Sequence, residues 1–541
     1  MWSRSTIVMV LAPLTACTGF IGEPSGTAPG EDERPLAIPF ALETGARRLT
    51  AAEYDATVED LLGDTTRPAH IMFPEDAGAP RNPFENDYTT QLGSSAFVEA
   101  AAFVAADVAK RFVQDAARLD AYLPCVPSGR SDAACMRQFI ESFGRKALRR
   151  PLGADDVDRY LGLMEVAQLD YDTFTPTFAD SLALVVEAFL QDFELLYRVE
   201  VGEQVGDAAL LGEFELATRM AFFLWGRGPD DALLDDAAAG HLRDPGPRVE
   251  VARRMLADPR ALEQLDRFHA QWLGYDNMAL SQELVSAMRR ETAALLKRVV
   301  LDRGGSYWNL FLADETFIDP LLASHYGIPS SASEAAWLPY GDTGRRGILS
   351  QGTFLSAFAK FSDTSPTQRG ILIRERLMCQ PIPPPPPEVN ADEPPVSASA
   401  NPCKAERYEV HRAGACAACH LLTDPVGFGL ESFDATGKYR THDAGRPECV
   451  ITGEGELGDL GPFRGPGELA QLLVDGGDLE ACVVQQVFRF AYGRLEASRG
   501  ERDYIESLRR KFATGGHDFR ELLLALIASD QFARVTSRSD G

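Results

Sequence analysis

The sequence predicts a mainly α-helical protein built from several helical bundles, with little β-structure. The chain has 541 residues, enough for several domains with their own cores. Apolar residues recur at spacings of three and four over long stretches, as on the buried faces of helices. Strand signals are few, and ECVITGEGELG, around Val450, is the best candidate for a small hairpin.

The first predicted helix has signals at both ends. In RRLTAAEYDATVEDLLG, which begins at Arg47, Thr50 is an N-cap residue and Glu53 follows three positions later. This spacing is typical of a capping box, and Gly63 follows the last apolar residues as a helix terminator. We therefore expect a helix from about residue 51 to residue 62.

The next segments predict core helices separated by turns. DSLALVVEAFLQDFELLYRVE, from Asp180, and GEFELATRMAFFLWG, from Gly212, carry few polar residues, and the helical pattern before Gly274 breaks at Asp258-Pro259. Composition and turn signals divide the chain into a signal peptide 1–17, a flexible tether 18–45, helical domains 46–125, 136–203 and 208–335, a segment 343–448 that contains the sequence CAACH and a Pro-rich linker 381–402, and a C-terminal helical domain 449–535.

Two distant stretches resemble each other. FGRKALRRPLGADDVDRYLGLM begins at Phe143 and is followed by a helix ending in FELLYRV; FRFAYGRLEASRGERDYIESLRRKF begins at Phe488 and is followed by FRELLLALIASDQFARV. Both read as a helix, an arginine-bearing turn, a second helix and a long amphipathic helix. We interpret them as two copies of one three-helix module.

The charge balance disfavours two classes of partner. With 80 Asp and Glu against 53 Lys and Arg, the net charge is −27. Nucleic acid and anionic lipid surfaces would be repelled, so we expect no nucleic-acid partner. A basic or neutral protein partner is favoured.

The N-terminus indicates export. In MWSRSTIVMVLAPLTAC, Arg4 precedes a short apolar run from Ile7 to Leu14 that is too short to span a bilayer and is typical of a signal peptide. The run ends at Cys17 in a sequence that resembles the lipobox of bacterial lipoproteins, so we expect lipidation of Cys17 and anchoring to a bacterial membrane, on the periplasmic face or the cell surface. The alternative is an ordinary signal peptide with a chance cysteine.

Export changes how the other cysteines are interpreted, because thiols outside the cytosol are usually paired or ligated. Six of them are disulfide candidates, and sequence proximity pairs Cys125 with Cys135, Cys379 with Cys403 across the Pro-rich linker, and Cys449 with Cys482. Spacing alone does not establish this connectivity. The remaining two cysteines belong to CAACH.

CAACH has the residues that covalent haem attachment needs. Cys416 and Cys419 are one helical turn apart, as required to add across the two vinyl groups of a haem. His420 follows directly, and its imidazole would be the iron ligand. The predicted cofactor is therefore haem c.

Other interpretations of CAACH remain open. A thioredoxin-like dithiol would follow a buried strand, whereas KAERYEVHRAG, before CAACH, is polar and helical. A zinc site with Cys449 and Cys482 would have to compete with disulfide formation. A structural disulfide between Cys416 and Cys419 is the main rival to haem.

The sixth ligand of the haem iron is less clear from the sequence. No methionine follows Met378, so the downstream methionine common in small c-type cytochromes is absent from this sequence. His442 and His517 are the histidines after His420, and His442 is the better candidate because it is closer. His411 lies nine residues before His420 and is expected to point elsewhere.

Five groups of motifs, in order, carry a resemblance to a known family. They are RRLTAAEYDATVEDLLG; FGRKALRRPL; FELLYRVE with ELATRMAFFLWGRGPDDALL; TSPTQRGILIRERLMCQPIPPPPP with CAACHLLTDPVGFGLESFDATGKYR; and FRFAYGR with LIASDQF. Together they resemble the planctomycete cytochrome family, large exported proteins frequent in planctomycetes and myxobacteria. The resemblance implies several domains of unknown function around a small c-type-cytochrome-like helical segment.

We expect an extracytoplasmic lipoprotein that carries haem c and acts in electron transfer, or as the redox module of a larger enzyme system, with an unidentified redox partner protein. The chain has no GxSxG, no phosphate-binding glycine loop and no HExxH, so the sequence assigns no catalytic residue. The alternative is a non-catalytic surface scaffold, or a carbohydrate-binding or assembly protein, in which the CxxC forms a disulfide.

Overall fold

The structure is a computed structural model that describes residues 41–75, 81–91, 93–167, 175–302, 304–357, 363–385, 395 and 402–537. The predicted signal peptide, Cys17, nearly all of the tether and most of the Pro-rich linker lie outside these residues. Helices dominate the described chain and strands form only small sheets, which confirms the mainly α prediction. Within the described residues, no helix combines the length and apolarity needed to cross a bilayer.

The N-terminal part of the described chain is a helical module with a few short strands. Its elements are β1 (Leu42–Thr44), β2 (Arg47–Arg48), α1 (Ala51–Leu62), α2 (Pro68–Met72), α3 (Ser95–Gln114), α4 (Ala116–Tyr122), α5 (Ala133–Ala147), α6 (Ala154–Ala167), α7 (Phe178–Gln191), α8 (Phe193–Leu196), β3 (Tyr197–Arg198), β4 (Glu203–Val205) and β5 (Ala208–Leu210). The predicted capping box of α1 is present, with the Glu53 amide donating to Thr50 Oγ1 at 3.2 Å and the Thr50 amide to Glu53 Oε2 at 3.0 Å. Gly63 ends the helix with φ 65°, a left-handed conformation that glycine adopts without strain.

The central part is also helical, and α11 and α12 are separated at Asp258-Pro259 as predicted. Its elements are α9 (Glu213–Leu224), α10 (Asp231–Ala238), α11 (Pro245–Leu256), α12 (Pro259–Leu273), α13 (Gln282–Leu296), α14 (Asn309–Leu312), β6 (Glu315–Ile318), α15 (Pro320–Tyr326), β7 (Ala336–Pro339) and α16 (Gly352–Ser356).

The remaining elements form the CAACH segment and the C-terminal helices. They are α17 (Pro366–Leu372), α18 (Lys404–Tyr408), α19 (Ala417–Phe428), β8 (His442–Asp443), β9 (Arg446–Val450), β10 (Glu454–Glu456), β11 (Pro462–Arg464), α20 (Gly465–Gly476), α21 (Asp478–Tyr492), α22 (Arg499–Thr514), α23 (Phe519–Ala528), α24 (Asp530–Ala533) and β12 (Arg534–Ser537). The stretch ECVITGEGELG does not form one hairpin by itself. Its two ends belong to neighbouring hairpins, β8 with β9 and β10 with β11.

The proposed duplication has a structural counterpart. The order α5, α6, α7, α8, β3 matches the order α21, α22, α23, α24, β12. In each copy a tyrosine of the second helix contacts the N-cap residue of the short helix: Tyr160 Oη donates to Asp192 Oδ2 at 2.5 Å, and Tyr504 Oη lies 2.8 Å from Ser529 Oγ. These equivalent contacts support two copies of one module.

The apolar cores extend over more than one helical segment. One core joins α1 to α3 with α5 to α7, and a second joins the central helices, the CAACH segment and the C-terminal helices. A smaller third core lies between α13, β6 and α15. Short helices bury only one face within their own segment, so their other apolar residues pack on the next segment.

A small sheet links the ends of the described chain. Strands β1 and β12 pair in parallel, with Leu42 opposite Val535, and β12 also pairs antiparallel with β5. The first and last described strands are therefore neighbours in one sheet.

Candidate functional site

The CAACH sequence lies where a short 3₁₀ turn, Gly414–Cys416, leads into α19. Cys416 is the N-cap residue of α19, and Cys419 and His420 belong to its first turn. Cys416 is exposed and Cys419 half-buried, and both are free thiols. The helix before the motif, α18, confirms that the CxxC does not follow a strand as it would in a thioredoxin-like site.

All six disulfide candidates form disulfides, but the predicted pairing is correct only for Cys125 and Cys135. Cys379 pairs with Cys482 and Cys403 with Cys449. The prediction paired cysteines by their proximity in sequence, whereas Cys379 packs against α21 and Cys403 against β9. Because Cys449 and Cys482 are in disulfides, the zinc site that would use them is not formed.

The two corrected disulfides enclose the motif. The Cys403–Cys449 bridge closes a loop that contains CAACH, and the Cys379–Cys482 bridge encloses that loop in turn. The two thiols left free lie at the centre of this nested arrangement in the sequence. The segment around CAACH is therefore covalently closed at both ends.

His420 is held by the carboxylate one helical turn further along α19. Its Nδ1 lies 3.0 Å from Oδ1 of Asp424 and 3.2 Å from Oδ2. An imidazole that donates through Nδ1 to a carboxylate keeps the lone pair on Nε2 for a metal. The local helix thus prepares His420 as a ligand.

The same carboxylate holds His411, contrary to the expectation that His411 points elsewhere. Its Nδ1 lies 2.8 Å from Asp424 Oδ2, and the two imidazole rings are 3.7 Å apart between centroids. The expectation assumed one continuous helix. In the structure α18 ends at Tyr408, and a 3₁₀ turn, Glu409–Arg412, redirects the chain so that His411 faces α19.

Asp424 is the buried anion of the site. Thr367 Oγ1 from α17 donates to its Oδ1 at 2.7 Å. Burial by itself would raise the pKa of Asp424, but the hydrogen bonds from His411, His420 and Thr367 lower it to about 2. The group is therefore a carboxylate at neutral pH.

Two glycines allow α17 and α19 to approach closely. A Cβ on Gly427 would collide with the carbonyl of Pro366, and a Cβ on Gly370 would collide with the carbonyl of Thr423. The glycines of TSPTQRG and DPVGFG therefore bring Thr367 within reach of Asp424.

A buried ionic cluster fixes the residues that follow α19. Glu431, only 2% exposed, accepts from Arg369 at 3.0 Å, from Lys404 at 2.8 Å and from Arg440 at 2.8 Å. Thr364 Oγ1 also donates to it at 2.6 Å. We call Glu431 and its three cations the Glu431 cluster; it ties α17, α18 and the chain after α19 together.

A cleft of about 650 Å³ opens beside His420. This volume is in the range of cofactor sites, about 300 to 1,000 Å³. Its lining is mixed: Leu421, Pro425 and Phe428 of α19 contribute apolar surface together with Val450 and Ile451, and charged side chains line the rest, among them Glu406, Glu409, Arg412, Asp443, Glu448, Glu454 and Glu456. Leu421 is 57% exposed and Val450 67% exposed, so the apolar part of the lining is open to a ligand. Cys416 and Cys419 are on the same turn as His420 but do not line this cleft.

The structure does not bring the sixth-ligand candidates to the cleft. His442 lies in β8 with Nδ1 2.8 Å from Thr441 Oγ1; its neighbour Asp443 lines the cleft and His442 does not. Met378 is buried in the second core. His517 makes an ion-pair contact of 2.6 Å with Glu480.

Two groups of possible metal ligands occur in the described chain, and in one of them, Cys403, Asp443 and Cys449, the two cysteines form a disulfide. The ligand atoms of His411, His420 and Asp424 lie within 4.8 Å of one another. Two imidazoles and one carboxylate can hold a transition-metal ion directly, or Asp424 can orient His420 toward an iron porphyrin. The sequence signal for Asp424 was its position four residues after His420; His411 had no comparable local signal.

The comparisons with known proteins give a family of multidomain proteins. Five family models match, each described as a protein of unknown function: DUF1587 over residues 47–114, DUF1595 over 135–200, DUF1592 over 211–328, DUF1588 over 345–443 and DUF1585 over 461–532. The DUF1588 model, labelled PSCyt3, spans CAACH. These are the domains of the planctomycete cytochrome family, to which the chain belongs. The comparisons with curated proteins and with solved structures found no match.

Proposed function

We propose that the protein is an extracytoplasmic c-type cytochrome that transfers electrons, alone or as the redox module of a larger enzyme system. One observation carries the proposal. Cys416 and Cys419 are free thiols on the turn that bears His420, which lines an open cleft, while the other described cysteines are paired. A chain that oxidises six cysteines and leaves these two free is suited to using them for another covalent bond.

Each residue of the site has a separate role in this proposal. Cys416 and Cys419 would bind the haem through thioethers, and His420 would hold its iron through Nε2. When bound, the haem supplies one-electron chemistry. Asp424 keeps Nδ1 of His420 engaged, and Leu421, Phe428 and Val450 would contact the apolar part of the haem.

Export and membrane anchoring through a lipidated Cys17 belong to the same proposal. Three disulfides are compatible with an oxidising compartment, and c-type haem is installed outside the cytosol. The membrane partner would be reached only through the lipid. Palmitate labelling of the full chain, compared with a Cys17→Ser variant, tests this part.

The haem proposal is tested by expressing the full chain with the c-type maturation machinery and recording oxidised and reduced visible spectra. We expect the spectrum of haem c, with pigment that stays on the chain after denaturation. A Cys416→Ser/Cys419→Ser variant should lose covalent pigment. The matched control, Cys125→Ser/Cys135→Ser, removes two cysteines from the N-terminal module and should keep it.

Three other results would contradict the proposal. Colourless protein with an intact Cys416–Cys419 disulfide would support the scaffold alternative. Colourless protein that binds a stoichiometric metal ion through His411, His420 and Asp424 would indicate a non-haem site. Pigment that denaturation releases would show haem without the two thioethers.

We keep His442 as the proposed sixth ligand, although it does not line the cleft. A His442→Ala variant should then change the spin state in the visible spectrum, while the matched variant His241→Ala, an exposed histidine paired with Asp236, should not. An unchanged spectrum in His442→Ala removes His442 from the site and leaves the sixth position to another group.

A further inference from the structure

Asp424 differs from the other buried carboxylates near the motif in the groups that neutralise it. Glu431 contacts Arg369, Lys404 and Arg440. Among the described residues, the ion-pair contacts of Asp424 are with His411 and His420, and no Arg or Lys makes one. Its negative charge is therefore directed at the two imidazoles.

The geometry divides that charge between them. Oδ2 accepts from His411 at 2.8 Å, and His420 Nδ1 lies 3.0 Å from Oδ1 and 3.2 Å from Oδ2; Oδ1 also accepts from Thr367 at 2.7 Å. The carboxylate is 7% exposed, so water does not screen it. Each additional donor reduces the share of charge available to His420.

We propose that Asp424 is the positioning residue of the iron ligand: it engages Nδ1 of His420, leaves Nε2 for the iron and makes the imidazole a stronger electron donor. His411 moderates this effect because it donates to the same carboxylate. The proposal rests on the proposed function, because it concerns the ligand of a haem iron. It assigns Asp424 the role of lowering the reduction potential and His411 the role of reducing the effect of Asp424.

The direction of the effect follows from charge. An imidazole that donates to a carboxylate carries more negative charge on its ring, and outer-shell partners of this kind tune the metal through the ligand. A more negative ligand stabilises ferric over ferrous iron, so it lowers the midpoint potential. Removing the charge of Asp424 should raise the potential, and removing His411 should lower it.

The first test is Asp424→Asn, which keeps the shape of the side chain and removes its charge. The midpoint potential of the matured, full-length protein is measured by spectroelectrochemical titration, together with the iron–histidine vibration in resonance Raman spectra. We expect a higher potential and a weaker iron–histidine bond. The matched control is Asp434→Asn, ten residues further on, because the Asp434 carboxylate accepts from backbone amides and from a threonine hydroxyl and contacts no histidine.

A second pair of variants keeps the test decisive if Asp424→Asn fails to fold. Asp424→Glu retains the charge, and its potential should lie between those of the wild type and Asp424→Asn. His411→Phe retains the ring packing against His420 and removes the competing donor, so the potential should fall below that of the wild type.

The outcomes separate the two proposals. A wild-type protein without covalent haem overturns the proposed function and this assignment with it. If the wild type carries covalent haem but the Asp424 variants and His411→Phe have the same midpoint potential as the wild type, the assignment of Asp424 and His411 is overturned and the proposed function stands. A rise in Asp434→Asn equal to that in Asp424→Asn would show a general charge effect and also overturn it.

Discussion

The N-terminal module and the CAACH segment are held together by different forces. In the module, α3 and α7 bury apolar residues against each other, and Tyr160 stacks on Phe189 with ring centroids 3.6 Å apart. In the CAACH segment, the Glu431 cluster, two glycine contacts and two nested disulfides hold short helices in place. The module fills its own interior, whereas the CAACH segment borders an open cleft of mixed polar and apolar lining.

This contrast indicates what the CAACH segment is built to do. A segment whose interior is filled by its own side chains needs no other support, and the module is of that kind. A segment that borders an open cleft lacks that packing and needs other constraints, which here are ionic, steric and covalent. Mutations can therefore test whether the CAACH segment depends on these ionic, steric and covalent constraints more than the module does.

The largest effect is expected at the centre of the Glu431 cluster. Glu431→Gln leaves the buried Arg369 without a carboxylate partner and leaves Lys404 and Arg440 with Asp363 alone, which should lower the free energy of unfolding by about 3 to 5 kcal/mol. Urea unfolding followed by circular dichroism measures it. The exposed Glu456→Gln should change the stability by less than about 0.5 kcal/mol, and equal effects of the two variants would contradict the role of the cluster.

A smaller effect is expected from filling the contact between α17 and α19. Gly427→Ala places a methyl group against the carbonyl of Pro366 and should cost about 1 to 3 kcal/mol. The control comes from the module: Gly162→Ala lies in α6 with no neighbour near its Cβ, and it should gain about 0.5 to 1 kcal/mol. Thermal unfolding of both variants gives the comparison, and a neutral Gly427→Ala would show that the helices do not need this approach.

A smaller difference in the free energy of unfolding is expected between variants that lack one or the other of two disulfides. The bridge Cys403–Cys449 closes a loop of 46 residues and Cys125–Cys135 one of 10. Loop-closure entropy assigns about 4 and about 3 kcal/mol to them, so the double alanine variant of the longer loop should be the less stable by about 1 kcal/mol. Equal losses in urea unfolding would mean that loop length does not govern the stabilisation.

The sequence predicts what depends on neighbouring residues. The ends of α1 and the break at Pro259 follow from local signals at Thr50, Glu53, Gly63 and Asp258, and the structure confirms them. The CAACH motif could also be recognised from the sequence, because Cys416, Cys419 and His420 lie within five residues. Their roles as haem ligands stay a prediction.

Features that depend on tertiary structure could not be read from the sequence. The partner of Cys379 is 103 residues away, and no spacing rule identifies Cys482. His411 reaches Asp424 because a 3₁₀ turn replaces the expected helix, and the fused cores arise from packing between segments. Asp424 could have been found, since a position four residues after a ligand histidine lies on the same face of a helix.

The last prediction compares the two regions in acid. Burial alone would raise the pKa of Glu431, but Arg369, Lys404 and Arg440 hold it below its ordinary value. Its stabilisation is therefore complete above the pKa of an unfolded glutamate, about 4.3, and is lost as the pH falls below that value.

In the module, the pKa shifts of the carboxyl groups have both signs. Burial, opposed by the amides of Ala69 and His70, raises the pKa of Asp55; burial would raise that of Asp64 as well, but Thr66 and Arg111 lower it. These two contributions have opposite signs. Amide hydrogen exchange between pH 6 and pH 3, corrected for the intrinsic rates, should thus show α19 losing protection before α7. The Glu431→Gln variant lacks the carboxylate, so the amides of α19 should be less protected than in the wild type at pH 6, and their protection should change less between pH 6 and pH 3. If α19 in the variant shows the same pH profile as in the wild type, the acid sensitivity arises from another group.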